Sequence, residues 1–167
     1  MKVLETERLI LTEADLSDAA FLLKLLNDES FIENIGDKGI KTLAQAQAHI
    51  NEKWIDSYQT HGFGMYLAKL KSTGEFIGTC GLVKREYLDH PDVGYAFLPE
   101  HSGKGYATES AKAVIAYGKS TLGIEQIVAI TSEKNIASIK VLEKLGLKFE
   151  KMVPYNETEE SMLFIAK

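Results

Sequence analysis

At His61 the period of the hydrophobic pattern changes, and that change restricts what the chain can fold into. Before it, apolar residues recur at helical spacing. Leu16, Ala19, Ala20, Leu23 and Leu26 follow a candidate cap at Asp15, and Leu43, Ala46, Ile50, Trp54 and Tyr58 follow the capping box Thr42-Leu43-Ala44-Gln45. After His61 the period is two. Phe63, Met65 and Leu67 alternate with Gly64, Tyr66 and Ala68 up to the turn signal Lys71-Ser72-Thr73-Gly74, and residues 76–83 return as the partner strand. Val93, Tyr95 and Phe97 alternate in a further strand that stops at Pro99, because proline cannot donate to a ladder. A helix then runs from Gly105 to about Thr121 on Ala107, Ala111, Val114 and Gly118, and the β-branched run 127–131 follows it. Asn135 opens another helix, closed by Gly146, and residues 148–155 and 161–166 read as a closing pair of strands. With the apolar run 8–11 as an opening strand, the pattern is α/β (α+β) with a mixed sheet.

Composition narrows the function classes. No repeat, low-complexity tract or Pro/Gly-rich linker divides the 167 residues, so one domain over 1–167 is expected. The net charge of −5 offers no basic stripe for a nucleic-acid backbone and would tend to repel an anionic bilayer. No run of about 18 apolar residues occurs, and residues 1–8 hold no apolar stretch behind a basic start, so the expected location is the cytoplasm, with neither nucleic acid nor membrane as a partner. Cys80, the single cysteine, reads as a small core residue. His49, His61, His90 and His101 show no metal-ligand spacing, so no metal is expected.

The chemistry concentrates in Val93-Gly-Tyr-Ala-Phe-Leu-Pro-Glu-His-Ser-Gly-Lys-Gly-Tyr-Ala-Thr-Glu109, which reads as strand, short loop, glycine pair, helix. Gly103 and Gly105 let the backbone turn its amides toward one point, and the helix behind them adds unpaired N–H groups and a positive dipole end. Such a nest suits an anion, and Lys104 adds a point charge. A Walker A loop is excluded, since Leu98 stands where its first glycine belongs and Gly105 where its Ser/Thr belongs. A dinucleotide fingerprint is disfavoured by Thr108 at the third glycine position.

The Gly-Lys-Gly-Tyr-Ala-Thr-Glu block resembles the coenzyme A pyrophosphate loop of the GNAT N-acetyltransferase superfamily. Asn135-Ile-Ala-Ser138 through Gly146-Leu-Lys-Phe149 resembles that superfamily's second coenzyme-contacting segment, and Leu4-Glu-Thr-Glu-Arg8-Leu-Ile-Leu resembles the opening of its RimJ/RimL branch. The resemblance implies a mixed, mostly antiparallel sheet of six to seven strands with about four helices. It implies acetyl-CoA as cosubstrate and direct attack by a primary amine in a ternary complex, in a monomer or homodimer. Backbone groups of Phe97 and Leu98 would pair with the pantetheine arm, and the stretch Gly103, Lys104, Gly105, Tyr106, Ala107 and Thr108 would hold the diphosphate. Asn135 would contact pantetheine, and Ser138 would either donate a proton to the departing thiolate or serve only as a helix cap.

Two positions depart from the family pattern. Ser102 stands where a loop-buttressing Gln or Arg is usual, and Leu142 where many members carry a tyrosine acid. Asp92 is the candidate base, with an exposed strand-end carboxylate as the alternative; Tyr95, Tyr106 and Tyr155 read as core or pocket walls. Three readings follow: acetylation of a protein N-terminal amine, acetylation of a small amine, and a catalytically silent acyl-CoA-binding module.

Overall fold

The structure, a computed structural model, describes residues 1–166, so that Lys167 of the expected domain lies outside the described residues. The chain opens with an antiparallel pair, β1 (Lys2–Glu5) and β2 (Leu9–Glu13). Asp15 then caps a short 3-10 turn, and α1 (Ala19–Leu26) continues from it. Next comes α2 (Glu29–Asn34), whose Asp28 cap accepts from the amides of Ser30 and Phe31. Helix α3 (Leu43–His49) begins at the capping box foreseen at Thr42 and Gln45. It passes through a π-helical turn, Ile50–Ile55, into α4 (Asp56–His61). Ala46, Ile50, Trp54 and Tyr58 lie four residues apart, a step that overshoots an α-helical turn by ~40° each time. The wider π turn takes back that drift and keeps the stripe on one face. The Tyr58 hydroxyl fixes this rod to the sheet, accepting from the Ala14 amide and donating to the Met65 carbonyl.

The remaining elements are β3 (Met65–Leu70), β4 (Phe76–Val83), β5 (Asp92–Phe97), α5 (Tyr106–Ser120), β6 (Val128–Thr131), α6 (Ile136–Lys144), β7 (Leu147–Pro154) and β8 (Glu160–Ala166). They form one eight-stranded sheet in the order β1-β2-β3-β4-β5-β6-β8-β7, antiparallel except where β5 meets β6. The expected class is borne out, with more elements than expected. Strand β1 was missed because its outer residues, Lys2 and Glu5, are exposed and give no alternation. Helix α2 was missed because six residues are too few to establish a period.

Alternation along β3 splits the interior in two. Leu67 faces α1 to α4, where Leu22, Leu25, Ala46 and Ile50 are fully buried; Ala68 faces α5 and α6 with Leu11, Cys80, Val114 and Leu142. Each such Leu or Ile stabilises the fold by ~1.5–3 kcal/mol. Burial also pushes the Cys80 thiol up to about 12, opposed only by a hydrogen bond with Ser110. No helix among the described residues is long and apolar enough to cross a membrane.

Strand β4 is pressed against the start of β3 at Gly81. A Cβ there would lie 2.2 Å from the Gly64 carbonyl oxygen and 2.6 Å from the Met65 Cα, both backbone atoms. Gly81→Ala should therefore lower the unfolding free energy by ~1–3 kcal/mol, read as an earlier urea midpoint at unchanged slope. A midpoint equal to that of the parent protein would show that β3 yields without cost.

Candidate active site

Strands β5 and β6 run parallel but share a single register pair, Asp92 with Val128, before they separate. From there β5 has a ladder on one side only. The Leu98 amide donates to the Ile77 carbonyl on β4 at 2.9 Å, and successive residues of a strand alternate sides, so the backbone groups of Tyr95 and Phe97 face the gap. This corrects one expectation. Phe97 is available to an incoming arm, but Leu98 is not: its amide is held by Ile77, and its carbonyl accepts from His101 at 2.9 Å and the Ser102 hydroxyl at 3.4 Å. Its side chain is buried in the core beneath α1 to α4.

At the C-terminal end of β5 the chain turns through Gly103 (φ 74°) and Gly105 (φ 87°), the left-handed region that glycine alone occupies without strain. Gly105 is the N-cap of α5 and brings no side chain to cap it. Amides of Gly103, Lys104, Gly105, Tyr106, Ala107 and Thr108 are absent from the loop and cap hydrogen bonds of the described residues, and Glu109 is the first to bond back, to the Gly105 carbonyl. Several open donors at a dipole's positive end favour an anion. Lys104 is exposed beside them.

Helix α6 brings its first turn to the other side of the gap. The Asn135 side-chain oxygen accepts from the Ser138 amide at 3.2 Å, so Asn135 does act as the cap. The Ser138 hydroxyl does not cap; it lies 2.9 Å from the Tyr95 hydroxyl, which also donates to the Ser138 carbonyl at 3.3 Å. Burial pushes the Tyr95 phenol up to about 12, against the Ser138 hydrogen bond, which pulls it down. The phenol is therefore neutral and proton-bearing at pH 7. Tyr95 is the residue that sequence reasoning placed only in a wall. The alternation put its backbone on β5 but carried no signal for a partner 43 positions away. Leu142, at the position of the absent tyrosine acid, is buried in the core beneath α5 and α6.

Asp92 is neither exposed nor open to the gap. It is 1% exposed, and its Oδ2 accepts from the Arg85 Nε at 2.7 Å. Burial raises the carboxyl above the ordinary aspartate value while Arg85 opposes that rise. Arg85, not Asp92, reaches the cavity wall.

The gap opens into a cavity of about 1170 Å³, lined by Tyr95, Asn135 and Ser138 on one side and by residues of α2 and the α3–α4 rod on the other. That is larger than the ~300–1,000 Å³ of a usual single-ligand pocket, and neither Phe97 nor the glycine nest is part of its lining. On the far wall Glu33, Glu52 and Asp56 form no ion pair among the described residues, while Lys38 bonds the Tyr155 hydroxyl at 3.2 Å. His49 lines the same wall, where burial, reinforced by Lys38 and Lys53, holds it below the ordinary histidine value.

Comparison with known proteins agrees with this fold. The family model of the acetyltransferase (GNAT) domain matches residues 8–148. Curated relatives include the uncharacterized protein YkkB of Bacillus subtilis (strain 168), 32% identical over 90% of this chain and 87% of its own. Another is the uncharacterized N-acetyltransferase YoaA of the same strain, 30% identical over 89% and 84%. Among solved structures, RimL, the ribosomal L7/L12 alpha-N-protein acetyltransferase in complex with coenzyme A, superposes with a TM-score of 0.84 at 18% identity over 99% of this chain and 97% of that one.

Gly105→Asp tests the anion nest. It forces a side chain into the left-handed region and sets a carboxylate where the amides converge. Calorimetry should find acetyl-CoA binding, micromolar in the parent protein, abolished in a variant that still unfolds cooperatively. Unchanged affinity would remove the diphosphate from this loop.

Proposed function

We propose, given that the chain belongs to the GNAT acetyltransferase family, that it moves acetyl from acetyl-CoA to a primary amine of low pKa, with a protein N-terminal amine as the preferred acceptor. The observation that carries this reading is the single-pair separation of β5 from β6, with an open glycine nest at its mouth and a paired Ser138–Tyr95 on its rim. The residues fit the coenzyme: unbonded amides suit a diphosphate, and an unpaired strand side suits an amide-bearing arm.

Acetyl-CoA supplies an activated acyl carbon with a thiolate leaving group. The Phe97 backbone orients the arm, and amides from Gly103 to Thr108 hold the diphosphate. The neutral amine nitrogen bonds to the acyl carbon, the carbon–sulfur bond breaks, and the amine's surplus proton passes to water. Ser138 gives its hydroxyl proton to the departing sulfur; the Tyr95 hydroxyl rotates its single proton from the Ser138 carbonyl to the Ser138 hydroxyl oxygen and passes it there, and solvent restores the Tyr95 proton. Asp92, behind Arg85, acts by positioning that arginine and not as a base in contact with the amine.

Asp92, the expected base, is enclosed behind Arg85, and that favours an acceptor which loses its proton with little help. An α-amine with pKa near ~7.8 needs only ~1 kcal/mol to lose its proton at pH 7, against ~4.6 kcal/mol for a lysine near ~10.4. The unpaired carboxylates of Glu33, Glu52 and Asp56 favour the approach of a cationic amine. RimL, which shares the fold, acts by its name on a protein α-amine.

Ser138→Ala should lower kcat about tenfold with little change in acetyl-CoA affinity. Tyr95→Phe should reproduce most of that loss, and the double variant should add little, since the two hydroxyls act as one unit. Unchanged turnover in both would leave the pair without a role in proton transfer. For the acceptor, a peptide with a free N-terminus and blocked lysine should be acetylated at least tenfold faster than the same peptide blocked the other way round, well inside the ~350-fold difference in reactive fraction. The rate should rise through pH ~7 to 8 and then flatten. Faster acetylation of the lysine peptide would overturn the N-terminal preference, and turnover of small amines alone would replace it.

A further inference from the structure

A loop built on two left-handed glycines must be held by something outside itself, because glycine has the most conformational freedom to lose. Ser102, just ahead of the pair, reaches only back to the Leu98 carbonyl. Support comes instead from the opening of the chain. The Arg8 Nε donates to Glu109 Oε1 at 2.7 Å, the Arg8 amide donates to Oε2 at 2.9 Å, and the Thr6 hydroxyl donates to the same Oε2. The Arg8 guanidinium carbon stands 4.3 Å from the centroid of the Tyr106 ring. Its Nη2 would lie 3.3 Å from a Cβ at Gly105. One side chain thus meets Gly105, Tyr106 and Glu109, the last 101 positions away in sequence. Glu109 is a firm anchor: burial raises its carboxyl, but the bonds from Thr6 and Arg8 outweigh that and hold it below the ordinary glutamate value.

We propose that Arg8 is the positioning residue of the diphosphate loop, clamping Gly105 and Tyr106 against Glu109 in the conformation whose amides converge, and so replacing from the N-terminal strand the buttress that Ser102 does not provide. It acts through the loop and touches no reacting atom. Released, the loop samples other conformations, and the apparent affinity falls by the fraction of time that the binding-competent one is lost. The planar fork matters as much as the charge, because it must grip a carboxylate and lie on a ring at once. The proposal rests on the reading of this loop as the diphosphate site.

The test compares two acyl donors, acetyl-CoA and S-acetylpantetheine, which shares the arm and the thioester but lacks the diphosphate. Arg8→Met and Arg8→Lys should each raise KM for acetyl-CoA about tenfold, with kcat at saturation within about twofold. Their kcat/KM with S-acetylpantetheine should equal that of the parent protein, which also reports that they fold. Tyr106→Leu, which removes the ring and leaves the Arg8–Glu109 pair, should show the same pattern at smaller size. Restoration by Arg8→Lys would overturn the proposal in favour of a simple charge contact. Equal losses with both donors would overturn it in favour of general damage, and an unchanged KM for acetyl-CoA would overturn it outright. A parent protein that uses the two donors equally well would instead refute the diphosphate assignment beneath it.

Discussion

The site depends on a sheet that is deliberately left unfinished. Parallel strands ordinarily continue their ladder, because a buried amide or carbonyl without a partner costs ~1–3 kcal/mol. Here β5 and β6 pair at Asp92 and Val128 and then diverge, leaving the backbone of Tyr95 and Phe97 facing open space. The two halves stay joined beneath the gap, because one core packs Leu11, Tyr66 and Leu82 of β2 to β4 together with Ala129, Leu147 and Phe164 of β6 to β8. One interior lies beneath α1 to α4 and the other beneath α5 and α6.

The Asp92–Arg85 pair sits at the root of this divergence, on the last residue of β5 that pairs with β6. A carboxylate 1% exposed is tolerable only with its partner in place, and removing one member of such a pair typically costs ~3–5 kcal/mol. Its position argues for fixing the angle at which the strands part and for presenting Arg85 to the cavity. The helices on either side complete the arrangement. The N-terminus of α5 meets the mouth of the gap, while the first turn of α6 reaches Tyr95 across it.

The parts that were legible in the sequence are those whose chemistry is local. Gly103 and Gly105 state a backbone conformation, Thr42 and Gln45 state a helix start, and Asn135 states a cap; each needs only its neighbours, and each is found as read. What was not legible depends on partners brought together by folding. Asp92 could not be told from a surface carboxylate until Arg85 was seen against it. Leu98 lost its expected role because Ile77, on the adjacent strand, holds its amide. Tyr95 and Ser138 were both in view, on separate elements, with nothing in either to indicate that their hydroxyls meet. The π turn was hidden in a stripe that looks helical throughout.

Cys80 has a consequence of a different kind. Its thiol is wholly enclosed, and burial keeps it protonated far above neutrality, so the thiolate that oxidants and alkylating reagents require is withheld while the fold is intact. It is also the chain's single cysteine. The folded enzyme should therefore pass through oxidative stress without a sulfur lesion at this position. Any modification found there marks a molecule that has opened its core, which makes Cys80 a built-in recorder of unfolding.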